Sequence, residues 1–114
     1  MTRHTTIHIR NQYLKFSAAH FTIFSATERE RLHGHNFAVT ADIKAPVSDE
    51  GLCFDYNVFK KVLRELCDGL DEYTLIAGES PHLTITTGDD EHQVTFAEQT
   101  LKLLKTDTII MPLA

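Results

Sequence analysis

The six residues from Leu32 to Phe37 read Leu-His-Gly-His-Asn-Phe, and the rest of the chain is best interpreted outward from them. Because successive side chains of a β-strand point to opposite faces, His33 and His35 would project from one face of a strand. A third histidine from a neighbouring strand, with His20 as the candidate, could complete a metal site of three nitrogen ligands. Three neutral imidazoles that leave one coordination position open are typical of catalytic rather than structural zinc. Gly34 adds no side chain between the two histidines, so we expect substrate to approach the metal closely there.

The composition is that of one small acidic domain. The 114 residues, 42% of them hydrophobic, are enough for a single domain over residues 1–114 with one modest core, which oligomerisation would help to stabilise. The formal net charge of −5 and the lack of a basic stripe argue against a nucleic-acid partner. The sequence shows no signal peptide and no apolar run of about 18 residues, so we expect no membrane partner and a cytoplasmic location. Cys53 and Cys67 have no metal-like spacing and are predicted to be buried or half-buried thiols in a reducing compartment.

Apolar alternation predicts two strands around the histidines. Residues 5–17 place apolar side chains among polar ones, mostly in alternation, and predict one strand with His20 at its far end. Residues 32–43 also alternate, with their apolar side chains and both histidines on one face. We expect these two strands to pair as an antiparallel hairpin, and the charged segment 21–31 between them to be a loop.

A helix is predicted after these strands. Asp55 is a favourable N-cap residue, and the helix would end at or near Gly69. Its apolar residues recur at spacings of three and four over about four turns, which is the pattern of an amphipathic helix. The residues on that face are Tyr56, Phe59, Leu63, Leu66 and Leu70.

The last third of the chain predicts strands, with one alternative left open. Residues 82–87 and 93–96 alternate like strands around a turn at 88–91, and residues 109–111 predict a final strand. Residues 95–105 have two interpretations. As a helix they would bury apolar side chains at positions 96, 97, 101 and 104, whereas as two strands they would turn at 97–99 and point Leu101 and Leu103 inward. We favour the strands, because Val, Thr and Phe dominate the start of the segment.

Two stretches, Phe16-Ser-Ala-Ala-His20 and Leu32–Phe37, together resemble the 6-pyruvoyl-tetrahydropterin synthase and 6-carboxytetrahydropterin synthase (QueD-like) family. Gly51-Leu-Cys-Phe-Asp55, which enters the predicted helix, and Leu70-Asp-Glu72 extend the resemblance over residues 5–76. The resemblance implies an α+β tunnelling fold, or T-fold, in which each subunit supplies an antiparallel four-stranded sheet with two helices on one side. It also implies that the subunits assemble into an oligomeric barrel, typically a hexamer made of two trimers, with active sites at the interfaces.

The resemblance further implies zinc and pterin chemistry. It carries the zinc ligands onto His20, His33 and His35. The implied substrate is a small-molecule pterin triphosphate, 7,8-dihydroneopterin triphosphate or a close relative. Zinc would hold the hydroxyls of the substrate side chain and lower their pKa, while a general base moves protons along that side chain.

The sequence departs from the family at two catalytic positions. Arg29 occupies the position of the family's catalytic cysteine, four residues before the first histidine of the motif. Glu30 instead resembles a glutamate of a subgroup associated with forming 6-hydroxymethyl-dihydropterin, and it could serve as the base if burial raises its pKa. Asp71 matches the aspartate of the family's catalytic Asp-His pair, whereas Glu72 stands in place of the histidine. We therefore predict Glu30 and Asp71 as the catalytic residues.

The C-terminal part of the family pattern is incomplete. The glutamate that grips the pterin in the family has no counterpart that can be placed, although Glu98 would lie in a second helix if residues 95–105 were helical. We therefore expect the C-terminal part to be truncated, either because the chain is short or because it is one part of a longer protein.

Two functions are compatible with these features. The first is a zinc-dependent lyase of pterin metabolism that forms a 6-pyruvoyl, 6-carboxy or 6-hydroxymethyl product, with Glu30 favouring the last. The alternative is a catalytically inactive paralogue that keeps zinc and pterin binding but has lost turnover with the cysteine and the dyad histidine.

Other charged residues have equally weighted interpretations. Arg29 and Arg31 would either contact the triphosphate or form surface salt bridges with Glu28 and Glu30.

Most of the seven histidines are expected at the surface, and four of them are predicted not to be ligands. These four are His4, His8, His82 and His92.

Overall fold

The computed structural model describes residues 3–52 and 55–114, so the prediction for Cys53 lies outside the described residues. The chain forms two compact units, Met1–Phe16 with Asn36–Asp71 and Ser17–His35 with Glu72–Ala114. Helix α1 covers Asn57–Leu70, and a short 3-10 helix covers Lys105–Asp107. The strands are β1 (Arg3–Ile9), β2 (Lys15–His20), β3 (His33–Ala38), β4 (Ala41–Ser48), β5 (Gly51–Leu52), β6 (Tyr73–Ala77), β7 (Leu83–Thr87), β8 (Glu91–Phe96), β9 (Gln99–Leu104) and β10 (Thr108–Met111).

An antiparallel sheet with the strand order β1–β4–β5 forms one side of the first unit. Ile7 lies opposite Ile43 across β1 and β4, so apolar side chains face each other on the pair. The predicted antiparallel pairing of the two segments that flank the loop is therefore confirmed for β1 and β4. The buried side chains of this unit's core belong to Ile9, Leu14 and Cys67.

Helix α1 packs against this core along one face. Phe59 and Leu63 contact the core, as the apolar spacing predicts. Leu66, which is predicted for the same face, is 61% exposed, and that prediction is wrong. Residues four apart lie above one another on a helix, so Cys67 continues the row of positions 59 and 63 and takes the buried place.

The ends of α1 agree closely with the sequence. Tyr56 rather than Asp55 holds the N-cap position. The Asp55 carboxylate nevertheless accepts a hydrogen bond from the backbone N–H of Asn57 at 2.9 Å, so it makes the capping contact that the sequence predicts. The helix ends at Leu70, one residue beyond the predicted Gly69.

Both predicted N-terminal strands are interrupted. Residues 5–17 form β1 and β2, because Asn11 closes a turn between them: its side chain accepts the N–H of Tyr13 at 2.9 Å and its carbonyl accepts the N–H of Leu14 at 3.0 Å. Residues 32–43 likewise form β3 and β4, with a break at positions 39 and 40. Apolar alternation continues through the break at positions 39 and 40 and is mostly kept over residues 5–17, so the sequence predicts one long strand in each case.

Two further sheets are built mostly from residues of the second unit. One is four-stranded in the order β10–β6–β2–β3, and the other is three-stranded and antiparallel in the order β7–β8–β9. Strand β6 pairs in parallel with both β2 and β10, so this sheet is not purely antiparallel. Buried Phe21, Ile76 and Val94 form the core of this unit.

The alternative at residues 95–105 is resolved in favour of strands. The chain turns at Ala97 and Glu98 between β8 and β9, and Leu101 and Leu103 pack against the core of the second unit. The helical interpretation is wrong, and Glu98 does not lie in a second helix. Where the resemblance implies two helices, the described ranges hold a single α-helix. None of the helices in these ranges is long and apolar enough to span a membrane.

Candidate metal centre

Two neighbouring strands bring the three predicted ligands together. His20 is the last residue of β2, His33 and His35 lie at the start of β3, and β2 and β3 are adjacent in the four-stranded sheet. The ring centroid of His20 lies 4.8 Å from that of His33 and 5.3 Å from that of His35. One potential ligand nitrogen from each ring lies within 4.8 Å of the other two. The three rings are therefore close enough together that they could hold one metal ion.

The hydrogen bond of His33 and the lowered pKa of His20 suit metal binding. Nδ1 of His33 lies 2.8 Å from the backbone oxygen of Arg31. Because a carbonyl can only accept, Nδ1 donates that hydrogen bond and Nε2 keeps the lone pair that a metal needs. Burial lowers the pKa of His20, and the neighbouring rings of His33 and His35 lower it further, against a smaller opposing effect of Glu30. His20 is therefore neutral at neutral pH, as a ligand must be.

Gly34 does not control access from the side of the histidines. A Cβ added there would meet no atom within 4 Å. Since side chains alternate along a strand, that Cβ would point to the face opposite His33 and His35. The absence of a side chain at this position therefore does not account for close approach of substrate to the metal.

Glu30 is held in an ordered hairpin, although the sequence predicts a loop. Its backbone N–H donates to the Thr22 carbonyl at 2.8 Å, and its carboxylate accepts the Thr22 N–H at 2.9 Å. Beyond this pair, Ile23 and Arg29 form a β-bridge. The tip is closed by Ser25, whose Oγ accepts the N–H groups of the residues two and three positions later. Residues 22–30 thus form a short hairpin.

The pKa of Glu30 is shifted in the direction opposite to the one expected. Hydrogen bonds from the side chain and the backbone of Thr22 lower it most, burial raises it by less, and the nearby His33 and His20 lower it by smaller amounts. Burial therefore acts in the direction expected from the sequence, but the hydrogen bonds to the carboxylate outweigh it. Glu30 is accordingly ionised at neutral pH, and it lies close enough to two of the three histidines to interact with them electrostatically.

Arg29 makes internal contacts that neither sequence interpretation anticipates. Its Nη1 donates to the backbone oxygen of Glu30 at 2.9 Å, and its Nη2 donates to Oε1 of Gln99 at 3.0 Å. The guanidinium carbon lies 5.3 Å from the ring centroid of Phe21 and 5.7 Å from that of Phe96. The guanidinium is thus bound to a backbone carbonyl and an amide, in place of the predicted carboxylate partners.

Asp71, the second predicted catalytic residue, lies at the C-terminal end of α1. It directly follows α1, it is exposed, and its charge contributes to raising the pKa of buried Cys67, for which burial is the larger cause. Asp71 belongs to the first unit, whereas the three histidines and Glu30 belong to the second. Its catalytic role stays a prediction.

Sequence reasoning misses Thr22 and Gln99. Thr22 lies within the segment predicted as a loop, and Gln99 lies 70 positions after the arginine that it contacts. Neither belongs to a motif, so only the fold reveals them. His92 is also unexpected, since it is buried and its Nδ1 lies 2.8 Å from Oγ1 of Thr87.

Known proteins resemble this chain in sequence and in structure. The chain is 24% identical over 101 residues to a Methanocaldococcus jannaschii protein named "Putative 6-carboxy-5,6,7,8-tetrahydropterin synthase", with 88% of this chain and 61% of the relative covered. The chain thus spans about three fifths of that relative's length. It matches the crystal structure of 6-pyruvoyl tetrahydropterin synthase from Plasmodium vivax with a TM-score of 0.87 at 25% identity, covering 97% of this chain and 68% of the other. A variant of the Plasmodium vivax enzyme, in which a catalytic glutamate is replaced by alanine, matches with the same TM-score at 24% identity and the same coverage.

The fold and family expectations are confirmed by these similarities. The solved structures share the α+β T-fold that the resemblance implies. A family model described as 6-pyruvoyl tetrahydropterin synthase matches residues 9–106, which is most of the chain. The chain belongs to the 6-pyruvoyl tetrahydropterin synthase family.

Proposed function

We propose that this chain is a zinc-dependent lyase that acts on 7,8-dihydroneopterin triphosphate. The observation that carries the proposal is the cluster of His20, His33 and His35 next to Glu30, in a chain of this family. We further propose that it acts as a cytoplasmic homo-oligomer, a hexamer of two trimers, as the family resemblance implies.

The three histidines would hold the zinc. The donor set fits, because three neutral imidazoles leave a coordination position for substrate and because the Arg31 carbonyl fixes the tautomer of His33. When bound, zinc would supply Lewis acidity toward the hydroxyl and carbonyl oxygens of the substrate side chain.

Glu30 would act as the general base. Its carboxylate is ionised at neutral pH and is held in place by Thr22, so it can accept a proton of the substrate. A catalytic glutamate is known in the Plasmodium vivax relative, and the position of Glu30 before the histidine motif supports the same role here. We propose Asp71 as the second catalytic residue, from its place in the Leu70-Asp-Glu72 match.

The first test is turnover of the zinc-loaded protein with 7,8-dihydroneopterin triphosphate, with the products separated by chromatography and identified by mass. A 6-pyruvoyl, 6-carboxy or 6-hydroxymethyl pterin would name the reaction, and we favour the last. The Glu30→Gln variant should lose about 10²- to 10⁴-fold in kcat, the range for a general base, with its zinc content unchanged. Glu28→Gln, on the exposed tip of the same hairpin, is the matched control and should keep full activity. Full activity of Glu30→Gln would contradict the assignment of the base.

The metal ligands are tested separately from turnover. His20→Ala should leave the purified protein with far less than one zinc per chain by elemental analysis, because two imidazoles bind zinc more weakly than three. His82→Ala removes an exposed histidine that is not part of the cluster, and it should keep wild-type zinc content. Equal zinc content in the two variants would overturn the ligand assignment.

One alternative function remains, a catalytically inactive zinc- and pterin-binding paralogue. The observation that favours it is the double departure from the family pattern, Arg29 for the cysteine and Glu72 for the dyad histidine. Full zinc occupancy and measurable pterin binding without any product would select this alternative.

A further inference from the structure

Arg29 ties the hairpin that carries Glu30 to a distant strand. It donates to the Glu30 carbonyl on one side and to the Gln99 side chain, at the start of β9, on the other. The two hydrogen bonds use the two ends of one planar guanidinium group. The backbone of Glu30 is therefore fixed relative to the sheet β7–β8–β9 of the second unit.

The aromatic rings next to the guanidinium strengthen this link. The distances of 5.3 Å to Phe21 and 5.7 Å to Phe96 are within the range of a cation–π interaction. Both rings are buried, so the guanidinium lies against a fixed part of the core of the second unit.

One polar atom of Arg29 lacks compensation. Its Nε is buried and has no hydrogen-bond partner within the part of the chain that the structure describes. A buried donor without a partner costs about 1–3 kcal/mol, so placing the guanidinium here carries a cost in stability. Local departures of this kind are expected where a residue serves function rather than stability.

We propose that Arg29 is a positioning residue that holds Glu30 in its catalytic orientation. The proposal rests on the proposed role of Glu30 as the base. Arg29 holds the Glu30 carbonyl, while hydrogen bonds to Thr22 hold the N–H and the carboxylate of the same residue. Arg29 itself does not contact substrate, so it affects kcat through Glu30 and leaves substrate binding unchanged.

Amide hydrogen exchange measured by NMR tests the positioning without reference to turnover. In Arg29→Met, which keeps an apolar stem between the two rings, the N–H groups of Thr22 and Glu30 should exchange at least about tenfold faster than in the wild type. Gln99→Leu removes only the second anchor and should give a smaller change in the same direction. Lys102→Met removes an exposed cation from the same strand as Gln99 and should leave both rates unchanged. Unchanged rates in Arg29→Met overturn the proposal.

Steady-state kinetics test whether the effect passes through Glu30. Arg29→Met should lower kcat about 10- to 100-fold, as a misplaced catalytic group does, with KM and zinc content at wild-type values. Arg29→Lys, which keeps the charge but loses the planar fork, should recover only part of kcat. A rise in KM at constant kcat would instead make Arg29 a contact to the triphosphate and overturn the proposal.

A double-mutant cycle separates this inference from the function on which it rests. In a Glu30→Gln background, Arg29→Met should cause no further loss of kcat, because the group that it positions is already inactive. A further loss of the same size as in the wild type would show that Arg29 acts independently of Glu30 and would overturn the inference. Full activity of Glu30→Gln alone would contradict the proposed base, whereas the exchange rates would still report whether Arg29 orders this residue.

Discussion

Gly78 lies where the second unit leaves no room for a side chain. It directly follows β6, and its N–H donates to the Met111 carbonyl at 2.8 Å. A Cβ at this position would lie 2.5 Å from Cγ2 of Ile110 and 2.9 Å from the Met111 oxygen. The parallel pairing of β6 with β10 therefore continues beyond β6 only because residue 78 has no side chain.

We expect Gly78→Ala to lower the free energy of unfolding by about 1–3 kcal/mol, the usual cost of overpacking. Urea denaturation measures the effect. Gly34→Ala is the matched control, because a Cβ there meets no atom within 4 Å, and it should stay within about 0.5 kcal/mol of the wild type. Equal stabilities of the two variants would contradict the close packing of β6 and β10.

The clustering of the three histidines could be predicted from the sequence, but the surroundings of Glu30 could not. Two histidines at alternate strand positions indicate a shared face by local geometry alone, and the structure brings them to His20. The sign of the Glu30 pKa shift depends on hydrogen bonds from the side chain and the backbone of Thr22, eight positions away in the chain. The contact of Arg29 with Gln99 spans 70 positions. Periodicity carries no information on contacts of that kind.

At the scale of elements, a cross-strand pair stabilises the sheet of the first unit. His8 lies directly opposite Asp42 in the antiparallel pair of β1 and β4, and its Nδ1 is 2.8 Å from the carboxylate. Nη2 of Arg10 donates to the same oxygen at 2.6 Å. Hydrogen bonding to His8 lowers the pKa of Asp42 most, and that to Arg10 lowers it next. The pair thus favours the ionised carboxylate in the folded state.

This cross-strand pair predicts a pH dependence of stability. Because the pKa of Asp42 is lower in the folded than in the unfolded chain, its contribution is fully present above the unfolded value of about 3.9 and is lost as the pH falls through the folded value. The Tm of the wild type should therefore exceed that of Asp42→Asn at pH 6, and the difference should shrink as the pH approaches 3. Differential scanning calorimetry between pH 6 and pH 3 measures it. Asp89→Asn, at an exposed bend after β7, serves as the control, and a wild-type advantage over Asp42→Asn that does not change with pH would refute the assignment.

The elements differ in how well the sequence predicts them, for a physical reason. Strands β7, β8 and β9 pair only with antiparallel neighbours, and each of them shows the alternation that predicts it. Strand β6 pairs in parallel on both sides. Its Ile76 is buried, and its other four residues are half-buried. A strand that is covered on both faces has no alternation, so no periodic signal marks Tyr73–Ala77.

At the scale of the whole molecule, exposed apolar side chains are candidates for the interface of the proposed oligomer. Val58, Val62 and Leu66 lie four residues apart on the outer face of α1 and are 58%, 46% and 61% exposed. Tyr13 in the first unit and Phe24 in the second are 64% and 65% exposed. A small chain that buries few residues completely gains stability when such side chains are covered by a second copy.

We expect the protein in solution to have a mass near six times the 12.9 kDa of one chain, as the family resemblance implies for two trimers. Sedimentation equilibrium over a range of concentrations measures this mass. A constant mass of one chain would contradict the hexamer, and a mass of three chains would limit the assembly to one trimer.

Val62→Lys places a charge on the outer face of α1 without disturbing the core, because this side chain is 46% exposed. If the variant dissociates into smaller species, the helix belongs to the interface. If its mass is unchanged, the association depends on other surfaces. The edge strands are then the next candidates, because the backbone groups of an edge strand can pair with another chain.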